Sequence, residues 1–398
     1  MKTKLLVAAL FAATAGVVIG YPLHSPGGVT PVATTKPVAA IAPAVRPRVE
    51  VVFVLDTTGS MAGLIQAAKD NIWSIASTMA SAQPAPEIRV GLVAFRDRGD
   101  DYITRVVDLN SDLDSMYATL MDFQADGGGD TPESVNEALH DAVHKMSWSQ
   151  GDDAYKVVFL VGDAPAHEYP DDIDYPATLK AASAKGIVIN TIQAGEDQST
   201  RAEWQRIASL NQGAYFQVAQ SGNAIAMATP FDEQIASLSK ALDDTRLFFG
   251  DADTQRDLAR KEAATDKLHT EGSAASRAKR AAFNASASGK ENLLGENELV
   301  EAVTSGRVEL SDIAPTHLPE PLRAMGKDER AQAIAQAAST RADLNAKIDA
   351  LAGQRRAYVE TEMKSRDGVE DSLDYQIFST VKVQAAEKGL TYEGKPVN

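Results

Sequence analysis

Short apolar runs alternate with helix-like patterns between residues 49 and 247. Runs rich in β-branched and aromatic residues are typical of strands that are buried on both faces of a parallel sheet. Four such runs are VEVVFVL (49–55), IRVGLVAF (88–95), YKVVFLVGD (155–163) and GIVINTI (186–192). Weaker runs lie at 102–109 and 214–218, and helical spacing is found at 62–81, 112–123, 132–146, 173–185, 200–210 and 223–247. This alternation predicts an α/β fold with a doubly wound, mostly parallel, Rossmann-like sheet over residues 49–247.

The C-terminal region, residues 248–398, has no strand-like runs and is rich in the residues that favour helices. We expect it to be all-helical, with a solvated helix over 252–290, a flexible stretch near 284–291, and a long helix over 327–366. Four apolar residues of the long helix follow the spacing of an a/d seam: Leu344, Ile348, Leu351 and Tyr358. This seam could pack against a neighbouring helix of the same chain, which we favour, or form a short coiled-coil contact.

The N-terminal segment is typical of an export signal. Residues 1–20 begin with Lys2 and Lys4, and an uncharged apolar stretch follows from Leu5 to Gly20. A membrane-spanning helix needs about 20 apolar residues, so a cleaved signal peptide is favoured over an uncleaved N-terminal anchor. Residues 21–48 hold six of the 17 Pro residues, which predicts an extended, semi-rigid linker.

Composition narrows the class of protein. A hydrophobic fraction of 44% and a charged fraction of 24% are those of a soluble globular protein. The net charge is −16, and residues 50–245 hold 30 acidic and 12 basic residues, which leaves −18 in that segment. Nucleic-acid binding is therefore not expected, because phosphate contacts need Lys and Arg. The absence of Cys excludes disulfides, thiolate metal sites and Cys nucleophiles.

Polar residues follow the predicted strands at the points where the strands end. Asp56 and Asp163 each end an apolar run, and Thr131 lies in a loop that precedes a predicted helix. In doubly wound sheets, ligands bind outside the carboxyl ends of the strands. Three distant segments are therefore expected to converge on one site.

These residues resemble a known metal site. The sequence Asp56-Thr57-Thr58-Gly59-Ser60, with Thr131 and Asp163, resembles the metal-ion-dependent adhesion site (MIDAS) of von Willebrand factor type A (vWA) domains. That pattern is Asp-x-Ser-x-Ser, then a Thr, then an Asp; Thr58 replaces the first Ser and keeps the hydroxyl. The stretches GGGDTPE and GDAPAH are most similar to the alpha-kinase-associated subgroup, although no kinase domain is evident.

The resemblance implies a function. The metal ligands would be Asp56, Thr58, Ser60, Thr131 and Asp163, with both aspartates often acting through water. Hydroxyl and carboxylate oxygens suit Mg²⁺, and also Mn²⁺ or Ca²⁺. Few direct carboxylates leave the ion electrophilic, so that an Asp or Glu of a protein partner can complete its coordination. Gly127, Gly128 and Gly129 are expected to let the backbone pass close to the metal.

We therefore interpret the chain as an exported bacterial protein-binding module of the periplasm or cell envelope, without enzymatic activity. The alternative is an accessory subunit of an enzyme or of an ATPase or chelatase-like complex. A third hypothesis is a hydrolase, because the stretch His140-Asp141-Ala142-Val143-His144 resembles the H-E-x-x-H zinc motif. No third ligand is apparent, and Leu139, Val143 and Met146 explain this helix as amphipathic. His167 is expected at the rim without a metal role, and Arg98-Gly99-Asp100 is expected to form a turn.

Fractionation of the native host tests the export prediction. We expect the mature chain outside the cytoplasm, with a new N-terminus after Ala15 or Gly20, because the apolar segment is read by the secretion machinery. N-terminal sequencing of the fractionated protein measures this. Recovery of the full-length chain from the cytosol would contradict the prediction.

Overall fold

The computed structural model describes residues 46–129, 131–219, 227–364 and 372–392. The predicted signal peptide, residues 1–20, and residues 21–45 of the predicted Pro-rich linker lie outside the described residues. Within the described ranges, no helix combines the length and the apolar composition that crossing a membrane requires.

A six-stranded sheet forms the centre of the molecule, in the order β3-β2-β1-β4-β5-β6. All neighbouring strands are parallel except β2 and β3, which pair antiparallel at one edge. The strands are β1 Arg48–Asp56, β2 Glu87–Phe95, β3 Thr104–Asn110, β4 Ala154–Gly162, β5 Ile187–Ala194 and β6 Tyr215–Val218. The predicted doubly wound α/β sheet is confirmed.

Helices cover both faces of the sheet, which explains why β4 is buried along its whole length. On one face, Val51 and Val157 pack with Trp73 of α1. On the other face, Val54 and Leu160 pack with other helices of the domain. The helices of this part are α1 Ala62–Ala80, α2 Leu113–Asp122, α3 Val135–His144, α4 Tyr175–Ala184, α5 Gln198–Leu210 and α6 Asp232–Asp243.

The described residues beyond α6 are helical, as predicted. Their helices are α7 Ala252–Glu271, α8 Ala274–Ala285, α9 Lys290–Leu294, α10 Leu299–Thr304, α11 Glu320–Arg323, α12 Lys327–Lys364 and α13 Leu373–Ala386. Leu268 of α7, Phe283 of α8 and Ile377 of α13 join the same apolar cluster as β1 and β4. The C-terminal helices therefore complete one face of the core.

The predicted solvated helix over 252–290 is wrong for α8. Ala278 and Ala281 are buried between helices, and Arg280 has only 1% of its surface exposed. The stretch predicted to be flexible, 284–291, begins with the buried Asn284 at the end of α8 and ends with the first two residues of α9. Polar composition misled the prediction because the partners of these side chains lie far away in the sequence.

Arg280 joins three helices through two buried carboxylates. Its Nε donates to Asp114 Oδ1 of α2 at 2.7 Å, and its Nη1 donates to Asp243 Oδ2 of α6 at 2.7 Å. His269 Nε2 of α7 lies 2.7 Å from the same Asp243 oxygen. Burial by itself would raise the pKa of both aspartates, but the Arg280 charge holds each pKa below its ordinary value. The cluster is therefore a compensated buried ion network.

The apolar seam of α12 packs within the same chain. Leu344 and Ile348 are buried in one cluster with Ile235 and Leu242 of α6. Further along α12, Arg355 Nε donates to Asp232 Oδ1 at 2.8 Å, and Asp232 is the first residue of α6. The favoured interpretation of the seam, packing against a neighbouring helix, agrees with these contacts.

Replacing Arg280 tests how much the buried network contributes to stability. Arg280→Met should lower the free energy of unfolding by about 3–5 kcal/mol, because it removes the cation that the two buried carboxylates share and leaves Asp243 with only the more distant Arg246, at 3.5 Å, and His269. Arg260→Met is the control: Arg260 pairs with Asp257 at the surface, where an ion pair contributes less than about 1 kcal/mol. Urea unfolding at neutral pH measures both.

The same pair of variants predicts a pH dependence. Aspartates with a lowered pKa stabilise the folded wild type above their ordinary pKa of about 4, and this stability is lost as the pH falls further. In Arg280→Met the two aspartates lose the charge of Arg280, and burial then raises their pKa. Protonation relieves the cost of burying them, so this variant should gain stability as the pH falls from 7. The difference between wild type and variant should therefore narrow towards pH 4. A constant difference would contradict the assignment.

Candidate metal centre

Neighbouring strand ends bring two of the predicted ligands together. Asp56 is the last residue of β1, and Asp163 directly follows β4. β1 and β4 are adjacent and parallel, and the strand order reverses between them. This is the topological switch point at which doubly wound sheets bind ligands.

The loop after β1 holds Asp56 by its own residues. Asp56 Oδ1 accepts hydrogen bonds from Thr58 N at 2.8 Å and from Thr58 Oγ1 at 2.7 Å. Thr58 Oγ1 lies 3.3 Å from Ser60 Oγ, in the single 3₁₀ turn that leads into α1. The two hydroxyls and the carboxylate thus form one continuous set of oxygen atoms.

The second oxygen of Asp56 has no hydrogen-bond partner. Asp56 is 1% exposed, and its Oδ2 is buried and unpaired. Gly162 lies beside it, since a Cβ at this glycine would be 3.1 Å from Oδ2. A buried carboxylate oxygen without a donor is costly unless a cation compensates it. The residues therefore fit a divalent ion at this point.

Backbone hydrogen bonds join the loops around this carboxylate. Gly59 N donates to Gly127 O at 3.2 Å, and Asp126 N donates to Thr57 O at 3.1 Å. These bonds tie the loop after β1 to the loop that contains Gly127 and Gly128.

The loop that starts at Thr131 is tied in turn to the loop after β4. Glu133 N donates to Pro165 O at 3.0 Å, and His167 N donates to Glu133 O at 2.7 Å. Thr131 and Ser60 are exposed, whereas Asp56 and Thr58 are buried. The structure thus places the predicted ligands on three loops that are tied together at one edge of the sheet.

Acidic residues that the sequence argument missed also surround the site. Asp100 accepts a hydrogen bond from Gly128 N at 3.1 Å, and Glu133 lies in the Thr131 loop. Asp97 accepts hydrogen bonds from Ser134 Oγ at 2.8 Å and from Tyr169 OH at 2.7 Å. A signal was present, because Asp97 and Asp100 follow β2, whose carboxyl end lies on the same edge of the sheet.

Burial and mutual repulsion change the acidity of the two most enclosed carboxyls. Burial, with the charge of Asp163 added, raises the pKa of Asp56 to about 7, although hydrogen bonds from Thr58 oppose the shift. Burial raises the pKa of Glu133 to about 9, and the charges of Asp56, Asp97, Asp100 and Asp163 contribute. Among the described residues, no Lys or Arg forms an ion pair with Asp56 or Glu133.

Carboxylates alone do not form a cage for a metal. In the part of the chain that the structure describes, no three His, Asp or Glu side chains are grouped so that they could hold an ion. A metal centre here needs the hydroxyls of Thr58, Ser60 and Thr131 as well. Hard oxygen ligands of this kind suit Mg²⁺, Mn²⁺ and Ca²⁺.

The H-D-x-x-H stretch packs as an ordinary helix. The rings of His140 and His144 stack with centroids 4.3 Å apart, and His144 Nδ1 lies 3.0 Å from His140 O. Asp141 accepts hydrogen bonds from Thr104 Oγ1 at 2.7 Å and from Lys145 Nζ at 2.8 Å. Leu139 and Val143 are buried in the sheet cluster. These contacts explain the stretch without zinc.

The rim of the site is built around Arg98 and Tyr169. Arg98 donates to Glu137 at 2.6 Å and to Asp171 at 2.6 Å, and it also pairs with Asp172. Its guanidinium lies over the Tyr169 ring, 4.0 Å from the centroid. The His167 ring stacks on the Tyr169 ring, with the two centroids 3.9 Å apart. His167 thus lies next to the loop that carries Glu133. The Arg-Gly-Asp tripeptide is thus part of a structural turn.

A substitution at Gly128 tests whether the backbone approaches the site as closely as the structure shows. Its φ is +73°, and a Cβ there would lie 3.0 Å from Thr58 Cβ and 3.3 Å from Glu133 Oε1. Gly128→Ala should lower the free energy of unfolding by about 1–2 kcal/mol and weaken Mg²⁺ binding, because Thr58 must shift. Gly129→Ala is the control, since a Cβ there meets nothing within 4 Å. Thermal unfolding with and without Mg²⁺ measures both effects, and equal behaviour of the two variants would contradict the geometry.

Parts of two solved proteins are similar to this chain. Proximal thread matrix protein 1 (PTMP1) of the mussel byssus is 17% identical, with a TM-score of 0.36; the match covers 44% of this chain and 43% of PTMP1. A PTMP1 structure with a zinc-occupied MIDAS motif is also 17% identical, with a TM-score of 0.35 and coverages of 44% and 42%. The SpRpn10 VWA domain is 14% identical, with a TM-score of 0.35, and the match covers 46% of this chain and 96% of that domain.

The match spans less than half the length of PTMP1. No curated protein matches the chain. The family model described as the von Willebrand factor A domain matches residues 50–229. Together with the six-stranded, mostly parallel sheet described above, this match shows a von Willebrand factor A fold in this part of the chain.

Proposed function

We propose that the chain is an exported protein-binding module that captures an Asp or Glu carboxylate of a partner protein through a divalent ion. The observation that carries this proposal is the unpaired, buried Oδ2 of Asp56 beside the hydroxyls of Thr58 and Ser60. Mg²⁺ is the proposed ion, with Mn²⁺ or Ca²⁺ as substitutes that also prefer oxygen ligands. When bound, the ion supplies a Lewis-acidic position that a partner oxygen can occupy.

Each of the five predicted residues has a role in this proposal. Thr58, Ser60 and Thr131 offer hydroxyl oxygens as direct ligands. Asp56 and Asp163 supply the negative charge that holds the ion, and Asp56 also orients Thr58 by accepting two hydrogen bonds from it. Because hydroxyls are neutral, they leave the ion with charge that a partner carboxylate can neutralise.

The surrounding acids make capture depend on the ion. Asp97 and Asp100 add negative charge near Glu133, at the same edge of the sheet as Asp56 and Asp163. Without a cation, this edge of the sheet repels an approaching carboxylate. We therefore propose that metal binding turns a repulsive surface into an attractive one.

Binding of this kind needs no bond cleavage, and we propose no enzymatic activity. The chemistry needed is ligand exchange at the ion. Export to the periplasm or cell envelope of a bacterium is proposed from the N-terminal segment, and that location would give the site access to divalent ions and to envelope proteins.

Removal of Asp163 tests the proposal. Asp163→Ala should abolish Mg²⁺-dependent capture of partner proteins from an envelope extract, because it removes one of two carboxylates at the switch point. Asp174→Ala is the matched control: Asp174 is exposed in the same loop region, and its side chain makes no helix-capping hydrogen bond. Immobilised protein is incubated with extract in Mg²⁺, Mn²⁺, Ca²⁺ or Zn²⁺ and eluted with chelator.

Circular dichroism must show that both variants are folded. An excess of acetate over chloride should release the partner from the wild type, because a free carboxylate competes for the same position. Capture that persists in chelator, or that survives Asp163→Ala, would overturn the proposal.

A further inference from the structure

Glu133 has a buried carboxylate for which the five-residue site assigns no role. Its side chain is 3% exposed, and its Oε2 is buried without a hydrogen-bond partner among the described residues. The Glu133 backbone, by contrast, is fully used, because its N–H and its carbonyl both pair with the loop after β4. The backbone therefore fixes the position of a side chain that is itself left uncompensated.

The carboxylate of Glu133 lies close to Thr58, one of the predicted ligands. The point where a Cβ would stand on Gly128 is 3.3 Å from Glu133 Oε1 and 3.0 Å from Thr58 Cβ. Glu133 and Thr58 thus approach each other across a glycine, and no larger residue leaves this space open. Glu133 is also near enough to Asp56 and Asp163 for their charges to act on it.

Among the described residues, neither Arg96 nor Arg98 forms an ion pair with Glu133, although Arg96 Nε is itself buried without a hydrogen-bond partner. Arg98 is held by Glu137, Asp171 and Asp172, and Arg96 Nη2 donates to Gln124 O at 3.0 Å. A buried carboxylate is stable when it is paired with a cation or coordinates a metal. Since Asp56 Oδ2 is orphaned in the same region, one divalent ion would compensate both carboxylates.

We propose that Glu133 is an additional metal-holding residue, whose carboxylate binds the same divalent ion as Asp56, Thr58, Ser60, Thr131 and Asp163. This inference rests on the proposed function, because it assumes an ion at that site. It adds a third acidic residue to the set, and a larger ligand charge tightens binding of divalent cations. Glu133 therefore sets the metal affinity of the domain.

Three variants separate a metal role from a role in packing. Glu133→Gln keeps the shape and removes the charge, whereas Glu133→Asp keeps the charge and shortens the side chain. Glu203→Gln is the control, because Glu203 is partly buried at this edge, but its carboxylate accepts a hydrogen bond from the Ala166 amide at 3.0 Å.

The direct measurement is a titration of the full chain with Mn²⁺. Electron paramagnetic resonance detects binding as the loss of the signal of the free ion. Glu133→Gln should raise the Kd for Mn²⁺ by about 10-fold or more, as loss of a supporting ligand does. Glu133→Asp should retain more affinity than Glu133→Gln, and Glu203→Gln should bind like the wild type. Without metal, Glu133→Gln should unfold at about the same temperature as the wild type, because glutamine keeps the size and shape of the side chain.

The outcomes distinguish this inference from the function on which it rests. A Kd for Glu133→Gln within twofold of the wild type, together with lost binding in Asp163→Ala, would overturn the role of Glu133 and leave the proposed site intact. A better affinity of Glu133→Gln than of Glu133→Asp would show a role in shape and would also overturn it. A wild type that binds no Mn²⁺ would overturn both proposals.

Discussion

The position of Asp56 and Asp163 at adjacent parallel strand ends is the constraint on which the site depends. Two carboxylates so placed repel each other, and burial strengthens the repulsion because water no longer screens it. Hydroxyls from the loop after β1 and from the Thr131 loop lie at the same edge, which leaves the geometry suited to an external cation.

The domain compensates buried acids in two different ways. At the inner face of α2 and α6, Asp114 and Asp243 share the guanidinium of Arg280, which carries its charge into the core. At the sheet edge, Asp56 and Glu133 each keep one buried oxygen without a partner. The first arrangement stabilises the fold by itself, whereas the second makes the site depend on a ligand from solution. The contrast explains why acids of similar burial serve structure in one place and binding in the other.

The C-terminal helices belong to the architecture of the domain. Arg280 of α8 contacts both α2 and α6, while α12 covers α6 with Leu344 and Ile348 and holds its first residue through Arg355. Tyr155 of β4 donates to Gln384 of α13 at 2.7 Å, so that the far end of the chain contacts the central sheet. Both ends of α6 are therefore fixed by side chains from beyond residue 247. This explains how a polar, Ala-rich segment acquires a defined structure.

The sequence by itself determined the fold class, the order of strands and helices, and the five candidate ligands, because these follow from local periodicity and from a motif at strand ends. Buried runs such as that of β4 can be recognised without tertiary information, since nearly all of their residues are apolar; Lys156 is the charged exception in β4. Only the tertiary structure decided that α8 is buried, that the α12 seam meets α6, and that Asp97, Asp100 and Glu133 surround the site. These features depend on contacts between residues far apart in the chain, such as the pair of Asp114 and Arg280, whose separation of 166 residues no local pattern encodes. Charge in a sequence shows how many acids there are, but burial and the distance to a cation decide what each acid does.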